Sequence, residues 1–128
     1  MKKKLLNGKK NNDPAYASGI NPTQAKEMGI KAIDLGFNKL KLKIGFNDEL
    51  DIKNLIILRD IVGNEGGIMA DVNQGWSVET ALKNILKLNG LKLDWLEEPI
   101  LADRPSEDWK KLFDLFWSAY LFRFNYRR

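Results

Sequence analysis

The 128-residue chain contains no cysteine and no histidine. The first absence excludes a disulfide framework and thiolate metal sites. The second removes the commonest general base and the commonest transition-metal ligand. A metal held by these residues must be held by oxygen, which points to magnesium, calcium or manganese. Long apolar runs are missing too. MKKKLL opens with a charged head, but no apolar stretch of signal-peptide length follows it, and no run approaches a membrane span. A cytoplasmic location without membrane contact is the default expectation.

Charge is unevenly spread. Residues 1–10 hold five lysines and no acid, and residues 115–128 hold Arg123, Arg127 and Arg128 and no acid. The segment between them carries 13 basic and 17 acidic residues. The net charge of +4 therefore belongs to the ends, over a mildly acidic body. A nucleic-acid-binding domain is expected to carry a basic face on its body, so that partner class is not expected here.

What is present is a repeated strand-then-helix unit. Residues 15–18 form a short strand candidate, and Asn21-Pro22 then opens a helix striped by Ala25, Met28, Ala32 and Leu35 and stopped by Gly36. Leu40, Leu42 and Ile44 alternate with Lys39, Lys41 and Lys43, the period of a strand. A helix over about 49–62 follows, ended by Gly63; residues 67–73 read as a strand. Ser77 caps a third helix that ends at Asn89-Gly90, 94–97 is a fourth strand, and Pro105 starts a fourth helix through Trp109 and Leu112. The alternation predicts an α/β fold with a parallel sheet, either an open doubly wound sheet or part of a TIM-type (β/α) barrel of about four parallel βα units.

In such folds chemistry collects at the carboxyl ends of the strands. Ser18, Lys43, Asp71 and Glu97 fall there, separated by 25, 28 and 26 residues, one unit each. Lys41 and Lys43 share one strand face, and Asp71 and Asn73 share another. Each alone is compatible with a solvated strand face, a strand-ending turn or an acidic loop. Two lysines and two carboxylates at matching points of consecutive units would converge on one rim. Carboxylates from adjacent strands suit a hard cation, and lysines beside a metal would have depressed pKa values that fit them to act as bases. Trp76 and Trp95 read as packing residues.

The stretches KLKIG, GIMADVNQGW and WLEEP together resemble the barrel domain of the enolase superfamily, in its mandelate racemase and muconate-lactonising branch. The resemblance spans about residues 5–112. It implies that Asp71 and Glu97 match two of three carboxylates that bind Mg2+. Lys43 matches the lysine that removes the proton next to a substrate carboxylate, and Lys41 its tuning and substrate-contacting neighbour. Asn73 matches a residue polar toward metal and substrate. The implied substrate is a small carboxylate such as a hydroxy or sugar acid, and EEPILADRP is similar to the family's sugar-acid dehydratase-like members. On this reading residues 1–14 are the remnant of a link from the capping domain, 15–114 the partial barrel, and 115–128 a divergent aromatic and basic tail.

The resemblance also places a third metal carboxylate near residue 122, where this chain has Leu121, Phe122, Arg123 and Phe124, and there is no acid after Asp114. Weak Mg2+ binding and no turnover are expected of this chain. A truncated or frame-shifted gene would give such a tail; a divergent strand over 121–126 is the other possibility. Open sheet edges and the aromatic tail lead to an expectation of self-association. The alternative function is a non-catalytic α/β module that binds a small ligand or a partner.

Overall fold

The computed structural model describes residues 15–126, with side chains described as far as Ser118. Four strands, β1 (Ala17–Ile20), β2 (Lys39–Lys43), β3 (Gly67–Asp71) and β4 (Trp95–Glu97), alternate with four helices, α1 (Ala25–Asp34), α2 (Asp48–Val62), α3 (Val78–Leu88) and α4 (Ser106–Tyr126). All neighbouring strands are parallel, in the order β1-β2-β3-β4.

That order decides between the two architectures left open by sequence. A doubly wound sheet reverses its strand order at a switch point. Here the order is sequential, and the helices cover one face of the sheet. Leu40, Leu42, Ile68 and Ala70 join Leu55, Leu58, Ala81, Ile85 and Leu88 in one buried cluster, while the alternate residues Lys39, Lys41 and Met69 lie outside it. This is a segment of a (β/α) barrel, with its helical layer on the convex side. Leu40, Leu42, Leu55, Leu58 and Ile68 are wholly buried, and burying each such side chain stabilises the fold by about 1.5–3 kcal/mol.

The helix starts follow from capping chemistry. Asn47 accepts from the Leu50 amide and Ser77 from the Thr80 amide, each satisfying a donor left without a partner in the first turn. Asn21 caps a short 3-10 turn, Pro22–Gln24, that leads into α1. Arg59, in the last turn of α2, donates to the carbonyls of Gly63, Gly66 (2.6 Å) and Lys92 (2.6 Å), tying the end of α2 to the entry of β3 and to the chain before β4.

Three expectations need correction. β1 lies two residues beyond 15–18, because Gly19 adopts φ +73°, the pairing with β2 shifts register there, and Ile20 is carried into the core. Ser18 is thus inside β1 and not at its carboxyl end. β3 stops at Asp71, so Asn73 (φ 52°) sits in a left-handed turn and does not share a strand face with Asp71. The fourth helix, read through Trp109 and Leu112, continues to Tyr126, so residues 121–126 are helical and not the divergent strand that was the other possibility. Residues 1–14 and the final two arginines lie outside the described residues, as do the side chains of Tyr120, Phe122, Arg123, Phe124 and Tyr126.

Candidate active site at the strand carboxyl ends

Parallel register places Lys43 beside Asp71, and Asp71 beside Glu97, on three consecutive strands. One layer lower, Lys41 pairs with Met69 and Met69 with Trp95. Side chains alternate along a strand, so both layers face the concave side, away from the helices. Asp71 is buried at the end of the central strand, whereas Lys43 and Asn73 are exposed.

The two layers are cross-linked. Lys41 Nζ donates to Glu97 Oε2 at 2.7 Å, a diagonal contact over β3. The Lys41 side chain is 12% exposed and that of Glu97 39%. The same ammonium lies 5.3 Å from the centroid of the Tyr16 ring. Tyr16 in turn meets Trp95 edge-on, with centroids 5.5 Å apart. Tyr16 precedes β1 and Trp95 opens β4, so their contact spans the whole sheet and reports how strongly it curls. Met69 is fully buried beneath this bridge although it lies outside the main core.

The hydrogen bond to Glu97 raises the pKa of Lys41 above its ordinary value, with the charges of Glu97, Tyr16 and Asp71 adding to it and burial opposing. With the Glu97 carboxylate as its nearest charge, the Lys41 ammonium is the favoured form. At the rim, the Asn73 amide donates to Asp71 Oδ1 at 2.9 Å and so orients the Asp71 carboxylate.

Can these residues hold a hard cation? Two carboxylates stand at adjacent register positions on rigid strands, and magnesium is commonly bound by one or two carboxylates with waters completing its shell. The donor set fits in kind. It is sparse in number, since among the described residues no group of three or more acidic side chains is placed to hold an ion. Glu97 is also engaged by Lys41.

Gln74 was not singled out from sequence. Its backbone takes φ 62°, next to Asn73 at 52°, and Glu98 takes φ 45°. Three left-handed, non-glycine residues on the two loops flanking Asp71 and Glu97 cost of order 1–3 kcal/mol each and mark a held geometry. The only sequence signal was their place between the strand-ending carboxylates and the following helices. By contrast, an apolar cavity of about 400 Å³ between α3, β4 and α4, lined by residues including Leu96, Trp109, Phe113 and Phe116, is remote in character from this chemistry. Among the described residues no helix is long and apolar enough to cross a membrane.

Known proteins resemble this chain in sequence and fold. A family profile described as enolase C-terminal domain-like matches residues 23–113. An N-succinyl-L-Arg/Lys racemase from Bacillus cereus is 33% identical over 113 residues, covering 75% of this chain and 31% of that protein. A mandelate racemase/muconate lactonizing enzyme from Bordetella bronchiseptica RB50 superimposes with a TM-score of 0.79 at 38% identity, covering 88% of this chain and 31% of the other. A racemase from Streptomyces coelicolor A3(2), with bound magnesium, gives 0.67 at 28% identity over 79% of this chain and 30% of its own. The chain thus spans about a third of the length of the relatives it matches. Curled parallel sheet, convex helical layer and profile agree: the chain belongs to the enolase superfamily, in its mandelate racemase and muconate-lactonising family, and comprises part of that family's barrel domain.

Proposed function

We propose that this chain carries one wall of a magnesium-dependent site for removing a proton next to a substrate carboxylate, of the racemase or sugar-acid dehydratase kind. Asp71 and Glu97 are the metal ligands, Lys43 the base, Lys41 its neighbour and substrate contact, and Asn73 a polar contact toward metal and substrate. The substrate is a small carboxylate, a hydroxy or sugar acid. The observation that carries this reading is the shared register of Lys43, Asp71 and Glu97 on three consecutive strands of a curled sheet.

When bound, Mg2+ supplies positive charge against the negative charge that develops on the substrate carboxylate as the α-proton leaves. The protein groups do the rest. Lys43, exposed at the rim, takes the proton at Nζ when its amine is neutral. Lys41, held by Glu97 and Tyr16, keeps a fixed positive charge nearby and orients the carboxylate. The backbone N–H of Asn73 donates to the Asp71 carboxylate and fixes it.

On this reading the chain by itself binds Mg2+ weakly and does not turn over. Two carboxylates, one shared with a lysine, support that expectation. Calorimetric titration with Mg2+ tests it: weak binding to the wild-type chain should be lost in Asp71→Asn and in Glu97→Gln. If neither substitution changes the isotherm, the ligand assignment is wrong.

A further inference from the structure

We infer that Gln74 is a positioning residue that clamps the loop after β4 onto the loop after β3 and thereby fixes the path of the backbone as it leaves Glu97. The inference takes its functional consequence from the metal-site reading above; its geometry stands independently.

Past the strand ends, the two loops continue a ladder. The Val72 amide donates to the Glu97 carbonyl at 3.0 Å, Gln74 to Glu98 at 2.7 Å, and Trp76 to Pro99 at 3.3 Å. Residues advance by two on one side and by one on the other. The left-handed turns at Asn73, Gln74 and Glu98 absorb this mismatch. Any residue at 74 could donate the backbone bond. Only the side chain makes the second hold: Gln74 Oε1 accepts from the Ala102 amide at 3.0 Å. One residue therefore grips the neighbouring loop at Glu98 and again at Ala102, bracketing Pro99, Ile100 and Leu101. Asparagine is a methylene shorter, and apolar or cationic side chains have no acceptor to offer.

The second hold matters because Glu98, directly after Glu97, rests in a backbone conformation that persists only where its surroundings over-determine it. With the loop released at Ala102, Glu98 is free to relax, and the Glu97 carboxylate turns with it. Residues that orient a ligand without touching the metal commonly change metal affinity by roughly 10–100-fold.

The test uses Gln74→Gly, which accommodates the left-handed φ and deletes only the side chain, and Gln74→Glu, which keeps an oxygen acceptor at the same reach. Amide exchange followed by NMR should show Ala102 exchanging roughly tenfold faster in Gln74→Gly, with protection restored in Gln74→Glu. Mn2+ titration followed by electron paramagnetic resonance should show affinity roughly tenfold weaker in Gln74→Gly than in the wild-type chain. Unchanged Ala102 exchange in Gln74→Gly, or exchange in Gln74→Glu as fast as in Gln74→Gly, overturns the clamp. Unchanged Mn2+ affinity overturns its role at the site. Should the wild-type chain take up no Mn2+, the metal-site reading fails and the exchange measurements alone decide the clamp.

Discussion

Lys41 and Glu97 form an ion pair at 2.7 Å although a whole strand, β3, lies between their own. In a flat sheet, residues two strands apart are about 10 Å distant. The contact forms because the sheet curls, the lysine stem is long, and the intervening residue of the layer is the flexible Met69. The Tyr16–Trp95 contact closes the same concavity below it.

The pair has a consequence for cation binding. An ammonium sits on one of the two carboxylates proposed to hold Mg2+, so it both competes for an oxygen and repels the ion. Replacing it with the apolar Lys41→Met should strengthen Mg2+ binding. A unit charge about 4 Å away contributes about 1 kcal/mol even at the dielectric of water, so affinity should rise roughly fivefold or more. Calorimetry on the variant, compared with Glu97→Gln, checks this; binding no tighter than wild type would show that Lys41 does not oppose the ion.

Asp51 offers a pH-dependent measurement away from the site. It is 3% exposed in α2, with Oδ2 accepting from the Gly45 amide at 2.8 Å and Oδ1 without a hydrogen-bond partner. Burial raises its pKa above the ordinary 3.8, against the Gly45 hydrogen bond, which lowers it. A carboxyl whose folded-state pKa lies above its unfolded value favours folding most when both states are protonated. Its contribution falls as pH rises from about the unfolded value through the folded one, and is flat above. Asp51→Asn, which cannot ionise, should therefore gain stability relative to wild type between pH 3.5 and pH 7. Urea melts at the two pH values check this; a gap independent of pH would place Asp51 outside this linkage.

Much of this architecture was legible in the chain because it is written locally. Alternation of Leu40, Leu42 and Ile44 with lysines marks β2, Ser77 marks a helix start, and Gly36 and Gly63 mark helix ends, both at positive φ. The one-unit spacing of Lys43, Asp71 and Glu97 reads directly as their shared register. Other features are settled by partners distant in sequence. The shift of β1 depends on a left-handed Gly19 and on Ile20 finding the core. The length of α4 hides behind aromatics whose spacing gives no clean apolar stripe. The Lys41–Glu97 pair and the Gln74 hold need sheet curvature and loop geometry that no local pattern encodes.

Association should depend on concentration. Among the described residues β1 and β4 have a neighbour on one side only, and Phe113 (61% exposed) and Trp117 meet at a tilt on the outside of α4. Unpaired strand edges beside exposed aromatics favour self-association. Light scattering across a dilution series should show mass rising with concentration, and Phe113→Glu should reduce the rise. A single monomeric species throughout would contradict this.

Arg59 is the strongest expected point of failure in the fold itself. Its guanidinium donates to the Gly63 carbonyl just beyond the end of α2, to Gly66 at the entry of β3, and to Lys92 before β4, the last two at 2.6 Å. Gly66 must remain small there, since an added Cβ would lie 2.5 Å from the Val62 carbonyl oxygen, so the turn cannot readily repack to satisfy these carbonyls another way. Arg59→Met keeps most of the stem and removes the donors. Hydrogen bonds to a charged group contribute about 1.5–3 kcal/mol net, and part-buried carbonyls left behind add to the loss. The variant should be destabilised by about 2–3 kcal/mol in urea unfolding, with faster amide exchange at Gly67 and Asp94, whose own amides donate to Asn38 and Ile68 at this end of the sheet. Arg59→Lys should recover only part of the loss, because one ammonium cannot reach carbonyls from three segments as a planar fork does. Full recovery by lysine would mean that charge alone, and not the fork, holds this end of the sheet together.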